Sequence, residues 1–277
     1  MQNFSKKMTG KSQKYVNILG VNLISTHISQ VIRSVSRFIS YKTSKTNSEA
    51  KFCIFTPNPE IVLRASERPI LREILNSADF SVPDGVGLKY ASKFLYGKSL
   101  NIIPGRVLFE RLIQKASESN WKVFLLGGMG KEAELAAKKL VSKYPSLKIA
   151  SFRGPTLDLN GEAVSKNDKK LQKRAVLRIN RFAPDILFVA FGNPKQEFWI
   201  YKNLPNLKVR GVMAVGGAFR YVAGYSKLPP LWMEKYGFEW LWRLVAEPKR
   251  FWRIFNAIIV FPLKVLWLKI YKVEAAN

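Results

Sequence analysis

The residues best suited to chemistry follow two short apolar segments. Residues 52–55 have the length and composition of a buried parallel strand, and Thr56 and Asn58 stand directly after them in a proline-rich turn. The second segment, residues 80–82, runs into Asp84. Ligands of parallel α/β sheets bind at the carboxyl ends of the strands, so all three side chains are expected at one edge. A carboxylate there could act as a general base.

Asp84 also has a simpler interpretation. An Asp-Gly pair before a helix commonly provides the helix N-cap, and a helix is predicted from about residue 86. The pattern alone leaves both interpretations open.

The composition limits the kinds of partner and site. The chain of 277 residues carries 46 Lys and Arg against 19 Asp and Glu, and its net charge of +27 indicates nucleic acid, an anionic membrane or a phosphorylated substrate as partner. The single cysteine, Cys53, and the single histidine, His27, exclude a disulfide framework, a zinc cluster and a histidine-based triad. Residues 1–14 contain no apolar signal segment, so a cytosolic location is expected.

Strand-length apolar segments alternate with helical patterns between residues 15 and 225. This alternation predicts an α/β fold with a Rossmann-like, doubly wound, mostly parallel sheet, preceded by a β-hairpin around Gly20. A long basic helix is expected over residues 162–182. Residues 1–14 have little to bury and are expected to be disordered.

Residues 226–277 form a distinct appendage by composition. Its tryptophans alternate with Arg and Lys, a pattern typical of helices at a lipid headgroup boundary. The appendage is therefore expected to bind an anionic membrane surface, although its most apolar uncharged run, residues 254–263, has only about half of the roughly 20 residues needed to span a bilayer. Trp232 and Trp240 are expected to pack as core, in contrast to Trp267.

A glycine turn follows the predicted strand at residues 122–126. Gly127 and Gly128 precede a helix whose backbone N–H groups could bind a diphosphate. The turn matches neither the dinucleotide-binding glycine motif nor the P-loop. Tight packing of strand against helix is the alternative explanation.

Several motifs together are similar to the WecG/TagA/CpsF glycosyltransferases. The similarity runs from about residue 16 to residue 255, and the motifs are Thr56-Pro-Asn-Pro-Glu60, Pro83-Asp-Gly-Val-Gly87, Phe191-Gly-Asn-Pro-Lys-Gln-Glu197, Gly216-Gly-Ala-Phe219, Glu239-Trp-Leu-Trp-Arg-Leu244 and Glu247-Pro-Lys-Arg250. The resemblance implies that residues 15–225 are the catalytic domain. It also implies inverting transfer of a sugar, typically N-acetylmannosamine, from a UDP donor to a polyprenyl-diphosphate-linked sugar.

The resemblance assigns roles residue by residue. Asp84 matches the general base, Thr56 and Asn58 match positions that hold donor sugar or acceptor, and Gln196 matches one that orients the substrate. Three appendage arginines are expected to fold over the pocket and bind phosphates bidentately: Arg243, Arg250 and Arg253. The remaining expected binding residues are Gly127, Gly128, Asn193, Lys195, Glu197, Gly217 and Arg220.

No Asp-x-Asp pair occurs in the sequence, so neither a metal nor a cofactor is expected beside the UDP-sugar co-substrate. Helix N-termini and arginines would then stabilise the leaving group. Three positions depart from the family pattern: Ile102 replaces an Arg, and Val107 and Arg220 each replace an Asp. These departures leave the donor open to UDP-glucose or another hexose, and Arg220 could bind a uronic acid.

Two other classes remain as alternatives. A nucleic-acid-binding protein would explain the charge, but the sequence has no known recognition motif. A dinucleotide-dependent oxidoreductase would explain the glycine turn, but lacks the acidic residue expected about 20 positions later. The expected partners are therefore the UDP-sugar, the lipid-diphosphate-linked acceptor and the inner face of the cell membrane, without nucleic acid; self-association stays open.

Overall fold

The computed structural model describes residues 15–40, 51–230, 232–233, 239–246 and 251–274. The chain begins with an antiparallel hairpin of β1 (Tyr15–Ile18) and β2 (Val21–Ile24). Leu19 and Gly20 form its turn, with φ angles of 49° and 87°. The predicted hairpin is confirmed, and the predicted disordered segment lies outside the described residues.

A six-stranded parallel sheet forms the centre of the fold. Its strands, in chain order, are β3 (Phe52–Phe55), β4 (Phe80–Ser81), β5 (Lys122–Gly127), β6 (Lys148–Phe152), β7 (Ile186–Ala190) and β8 (Gly211–Ala214). The spatial order is β4-β3-β8-β7-β5-β6, and every pairing is parallel. The predicted doubly wound α/β sheet is therefore confirmed, and the antiparallel pairing described in the structure lies outside it, in the separate hairpin and in an isolated bridge between Leu157 and Ala163.

Helices cover both faces of this sheet. One face carries α2 (Pro59–Glu67), α3 (Pro69–Asn76), α4 (Val86–Tyr96), α7 (Lys166–Phe182) and α8 (Lys195–Asn203). The other face carries α1 (Ile28–Ser40), α5 (Gly105–Glu118), α6 (Glu132–Lys143) and α9 (Ala218–Ala223). Each face has its own buried apolar cluster, so the sheet is covered on both sides as parallel sheets require.

The connections diverge on either side of β8. The chain leaves β8 towards α9 on one face, whereas it leaves the neighbouring strands β3 and β7 towards α2 and α8 on the other. Crevices form at the carboxyl ends of parallel strands where successive connections part in this way. The fold thus places the crevice beside Thr56 and the glycines after β7 and β8.

The long basic helix begins later than residue 162. Its N-cap is Ser165, whose hydroxyl accepts a hydrogen bond from the Asp168 amide, and α7 starts at Lys166. Before it, the Asp158 carboxylate accepts the amides of Asn160 and Glu162 in a turn. These local caps satisfy backbone groups that a longer helix would have paired internally.

The appendage contains three described helical stretches: α10 (Glu239–Ala246), α11 (Phe251–Phe255) and α12 (Phe261–Glu274). A π-helical segment, Asn256–Val260, joins the last two. The helix over Phe251–Tyr271 is long and apolar enough to cross a membrane by length and composition. The apolar run at residues 254–263, which the sequence analysis judged too short to span a bilayer, is only the uncharged part of this helix.

The expectation that Trp232 and Trp240 pack as core is wrong. Their side chains are 57% and 36% exposed, and Trp267 is 58% exposed. In α12 the inner face consists instead of Phe261 and Val265, which are buried against the apolar cluster that includes α2 and α4. The indole rings therefore lie on the outside of the appendage.

Candidate active site

Asp84 lies in the loop after β4 and is bound to the start of a different helix from the one that follows it. Its Oδ2 accepts a hydrogen bond of 3.0 Å from the backbone N–H of Gly105, the first residue of α5. The N-cap of α4 is Gly85, and no side chain caps that helix. The N-cap interpretation of Asp84 is therefore wrong for α4. The carboxylate instead lies at the amino terminus of α5, where the helix stabilises negative charge.

Gly105 brings Thr56 and Asp84 together. A Cβ atom at position 105 would lie 2.7 Å from the Thr56 Oγ1 atom and 3.4 Å from the Asp84 Oδ2 atom. The backbone of α5 can approach both side chains only because this residue has no side chain. The structure thus joins the loops after β3 and β4, as the strand pattern predicted, and adds Gly105, which the sequence reasoning did not select.

Asn58 has a structural role in the same turn. Its Oδ1 accepts a hydrogen bond of 3.0 Å from the Ile61 amide, and Pro59 occupies the first turn of α2. This is the N-cap arrangement that stabilises a helix start. The predicted contact of Asn58 with substrate stays a prediction.

Gln196 connects the loops after β7 and β8. Its Oε1 accepts the Gly216 amide at 3.1 Å, and its Nε2 donates to Asn193 Oδ1 at 2.6 Å and to Glu197 Oε1 at 2.9 Å. The side chain is buried, with 2% exposure. Its amide group therefore holds the two loops together, and its predicted role in orienting the substrate stays a prediction.

Three glycines leave space at this edge of the sheet. A Cβ added at Gly192, Gly216 or Gly217 would meet no atom within 4 Å. These residues belong to the loops after β7 and β8, on one side of the crevice, and Lys195 lies half-buried just beyond them. A ligand could therefore approach the backbone there without a side chain between them.

The glycine turn after β5 is explained by packing. A Cβ at Gly127 would lie 2.9 Å from the Ala190 carbonyl oxygen, and the Gly128 amide donates to that same oxygen at 2.8 Å. The Met129 amide donates to the Glu132 carboxylate at 2.9 Å. A protein carboxylate thus already lies at the start of α6. The predicted diphosphate contact of Gly127 and Gly128 stays a prediction.

Arg220 faces the same buried carboxylate. Its Nη1 atom lies 3.8 Å from Glu132 Oε1, and its Nε donates to the Ser226 hydroxyl at 2.9 Å. Glu132 is 8% exposed, so its charge needs a partner. Arg220 therefore has partners within the protein.

The three appendage arginines differ in what the structure describes. Arg253 is ion-paired with Glu60, and its Nε atom is 2.9 Å from each carboxylate oxygen. Arg243 belongs to α10, whereas Arg250 lies outside the described residues. The expected grip of Arg243 and Arg250 on phosphates thus stays a prediction. Sequence reasoning did not select Glu60, although it ends the Thr-Pro-Asn-Pro-Glu motif.

Glu197 is a buried acid beneath the candidate site. Its carboxylate is 3% exposed, and the Oε2 atom has no hydrogen-bond partner within the described part of the chain. Burial raises the pKa of this carboxyl to about 7, an effect that the hydrogen bond from Gln196 partly offsets. Among the described residues, no three His, Cys, Asp or Glu side chains converge in a way that could hold a metal ion.

The substitution Glu197→Gln should stabilise the protein at alkaline pH. The pKa of Glu197 rises from an ordinary 4.5 to about 7 on folding, so its contribution to stability is full below pH 4.5 and is lost as the pH rises through 7. A neutral glutamine keeps the acceptor for Gln196 without the buried charge. We expect a gain of about 3 kcal/mol in the free energy of unfolding at pH 8.

Denaturant titrations at pH 4 and pH 8 would measure this difference. The two proteins should be equally stable at pH 4, because Glu197 is protonated there in both the folded and the unfolded chain. An equal gain at both pH values would show that packing, not ionisation, is responsible.

Comparison with known proteins identifies the family of this chain. The profile of the glycosyl transferase WecG/TagA/CpsF family matches residues 16–274. Two relatives from Staphylococcus aureus, of strains MRSA252 and NCTC 8325, are each called N-acetylglucosaminyldiphosphoundecaprenol N-acetyl-beta-D-mannosaminyltransferase. Each is 33% identical over 250 residues, covering 90% of this chain and 91% of the relative. The chain belongs to the WecG/TagA/CpsF family and is a glycosyltransferase.

Proposed function

We propose that this protein transfers N-acetylmannosamine from a UDP donor to a polyprenyl-diphosphate-linked sugar, with inversion at the anomeric carbon. The observation that carries the proposal is the Asp84 carboxylate, bound to the start of α5 next to Thr56 at the carboxyl edge of the sheet. The names of the relatives specify N-acetylglucosamine on undecaprenyl diphosphate as their acceptor, and we extend that acceptor class to this chain.

Asp84 is the general base in this reaction. It removes the proton from the acceptor hydroxyl as that oxygen attacks the anomeric carbon of the donor. The new carbon–oxygen bond forms on the face opposite the bond to UDP, and the bonding electrons leave with the diphosphate. The Gly105 amide binds the Oδ2 atom of the carboxylate and so holds the group beside Thr56.

A single carboxylate suits an inverting reaction, and the other acids nearby are engaged elsewhere. Glu60 is held by Arg64 and Arg253, at 3.1 Å and 2.9 Å. Burial raises the pKa of Glu197 to about 7 and so favours its neutral form. Neither acid is suited to act as a covalent nucleophile, which supports direct displacement at the sugar.

The leaving diphosphate requires stabilisation of its developing charge. The backbone at Gly216 and Gly217 leaves space for the diphosphate, and arginines of the appendage add positive charge. We propose that these groups act without a metal ion, consistent with the lack of an Asp-x-Asp pair in the sequence.

The surroundings of Arg220 favour a neutral donor sugar. Its guanidinium faces Glu132 and bonds to Ser226, so its charge is partly balanced within the protein. A uronic acid donor would have to compete with that carboxylate. Transfer of an N-acetylhexosamine or hexose requires no such exchange.

The appendage is proposed to bind the inner face of the cell membrane. Successive residues of a helix differ by about 100°, so residues opposite Phe261 and Val265 point outward. Those are Leu263, Leu266, Trp267 and Ile270, which are 60%, 45%, 58% and 51% exposed. Lys264 and Lys269 flank this apolar face and contact Glu67 and the Phe94 carbonyl. An apolar outer face on a docked helix fits binding in the plane of the lipid surface.

A panel of donors would test the reaction itself. The protein is incubated with a short-chain lipid-diphosphate N-acetylglucosamine acceptor and UDP-N-acetylmannosamine, UDP-N-acetylglucosamine, UDP-glucose or UDP-glucuronic acid. We expect UDP release and a product of inverted anomeric configuration with the first donor, unchanged by EDTA. Absence of UDP release with every donor would overturn the proposed function, and loss of turnover in EDTA would overturn its metal independence.

Asp84→Asn should reduce turnover by at least about a hundredfold, because a side-chain amide cannot take up the proton of the attacking hydroxyl group. The asparagine oxygen can still accept the Gly105 amide, so the fold should persist. Asp185→Asn is the matched control: Asp185 accepts the Lys122 amide at 2.8 Å in the same way, at the opposite edge of the sheet. Steady-state rates of UDP release measure both variants. Near-normal turnover of Asp84→Asn would exclude it as the base.

Replacing Leu263 and Trp267 together by glutamine should weaken binding to anionic vesicles at least tenfold. Each buried apolar side chain contributes about 1.5 to 3 kcal/mol to such a transfer. Leu159 and Leu177, which are 52% and 68% exposed on the catalytic domain, provide the matched double glutamine control. Vesicle sedimentation measures the partition coefficient. Equal losses in both double variants would indicate binding without a defined lipid-facing surface.

A further inference from the structure

Glu60 is a buried carboxylate at the start of α2, one residue after Pro59. It is 6% exposed, and both of its oxygens lie 2.9 Å from the Nε atom of Arg253. Arg64, one turn further along α2, contributes a second cation at 3.1 Å. Arg253, the partner from the appendage, is 193 positions away from Glu60 in the sequence. The pair therefore joins the appendage directly to the turn that contains Thr56.

A second ion pair joins the same two parts of the chain but differs in burial. Lys264 Nζ lies 2.7 Å from Glu67 Oε1, and the Glu67 side chain is 61% exposed, compared with 8% for Glu60. Exposed pairs contribute little to stability, whereas removing one partner of a buried pair leaves a charge that water cannot solvate. Of these two ion pairs, the one at Glu60 therefore contributes more to the docking of the appendage.

The docked appendage also packs beside the start of α4, the helix that follows the Asp84 loop. A Cβ at Gly87 would lie 2.9 Å from Pro59 Cγ and 4.0 Å from the ring of Phe261. Phe261 is 1% exposed, and the Asp84 amide donates to the Pro57 carbonyl at 2.8 Å. The start of α2, the start of α4 and the appendage helix thus pack together just beyond the candidate base.

We propose that Glu60 is a positioning residue for the transfer reaction: it binds Arg253 and so holds the appendage helix against the start of α4, next to the loop that carries Asp84. Arg253 then acts as an anchor within the protein and not as a ligand of the acceptor phosphates. The effect on turnover rests on the proposed function, whereas the docking of the helix can be measured without it.

The two roles of Arg253 predict opposite results for one substitution. If Arg253 binds acceptor phosphates, Glu60 competes with them, and Glu60→Gln should leave turnover unchanged or raise it. If Arg253 is an anchor, Glu60→Gln and Arg253→Gln remove the same interaction. Each should then reduce kcat tenfold to a hundredfold, and the double variant should be no worse than either single one.

The experiment compares Glu60→Gln, Arg253→Gln, the double variant and Glu67→Gln with the unmodified chain. Steady-state kinetics give kcat and the KM for the lipid-diphosphate acceptor, and hydrogen exchange reports protection of peptides from residues 261–271. We expect exchange in these peptides to rise at least tenfold in the first three variants, with a fall in kcat larger than any change in KM. Glu67→Gln should stay within twofold of the unmodified chain in every measurement.

Unchanged or increased turnover of Glu60→Gln, additive losses in the double variant, or unchanged exchange over residues 261–271 would each overturn the proposal. If Glu60→Gln does not fold, Arg253→Gln and Arg253→Lys provide the same measurements: an anchor predicts faster exchange for the glutamine than for the lysine, and equal exchange would overturn it. If the unmodified protein transfers no sugar from any donor, the proposed function fails, while the exchange results still decide whether Glu60 holds the appendage.

Discussion

The hydrogen bond from the Gly105 amide to the Asp84 carboxylate is the contact on which the candidate site depends. It joins the loop after β4 to the first residue of α5. The helix α5 packs on one face of the sheet, whereas α4, which follows the same loop, packs on the other. The Thr56 hydroxyl can lie beside the start of α5 because Gly105 has no side chain to exclude it. One backbone amide thus fixes the orientation of the proposed base and the spacing of two neighbouring loops. A helix start provides the favourable potential for a carboxylate that must stay ionised to accept a proton.

On the other side of the crevice, a side chain and not a backbone amide holds the loops together. Gln196 uses both ends of its amide to connect the loops after β7 and β8, and Glu197 beneath it is buried with one oxygen unpaired among the described residues. Such an arrangement costs stability, because a buried carboxyl must either lose its proton at a cost or remain neutral. The Gln196 hydrogen bonds and the buried Glu197 carboxyl thus occur together, beside the glycines whose backbone borders open space. Proteins tend to concentrate local strain of this kind at functional sites.

Sequence reasoning identified the elements better than their long-range partners. Short apolar runs such as Phe52–Phe55 predicted the strands, and the rule for carboxyl ends placed Thr56 and Asp84 together, because both depend on local patterns. The bond from Asp84 to Gly105 spans 21 positions, and the pair of Glu60 and Arg253 spans 193. Nothing in local spacing indicates which acid is buried or which arginine reaches it. The same limit explains Trp232, whose exposure depends on how the appendage docks.

The appendage helix α12 has a buried inner face and an exposed outer face, and both are apolar. Its inner face, with Phe261 and Val265, must match the surface formed by α2 and α4, while its outer face is apolar with no protein element packed on it among the described residues. Cations on its flanks contact α2 and α4, since Lys264 binds Glu67 and Lys269 binds the Phe94 carbonyl. If the outer face binds lipid, the helix lies in the membrane plane and cannot cross the bilayer while these contacts hold. The start of α4, which directly follows the Asp84 loop, then lies beside a lipid-bound helix, and this arrangement would bring the proposed base towards the proposed lipid-linked acceptor.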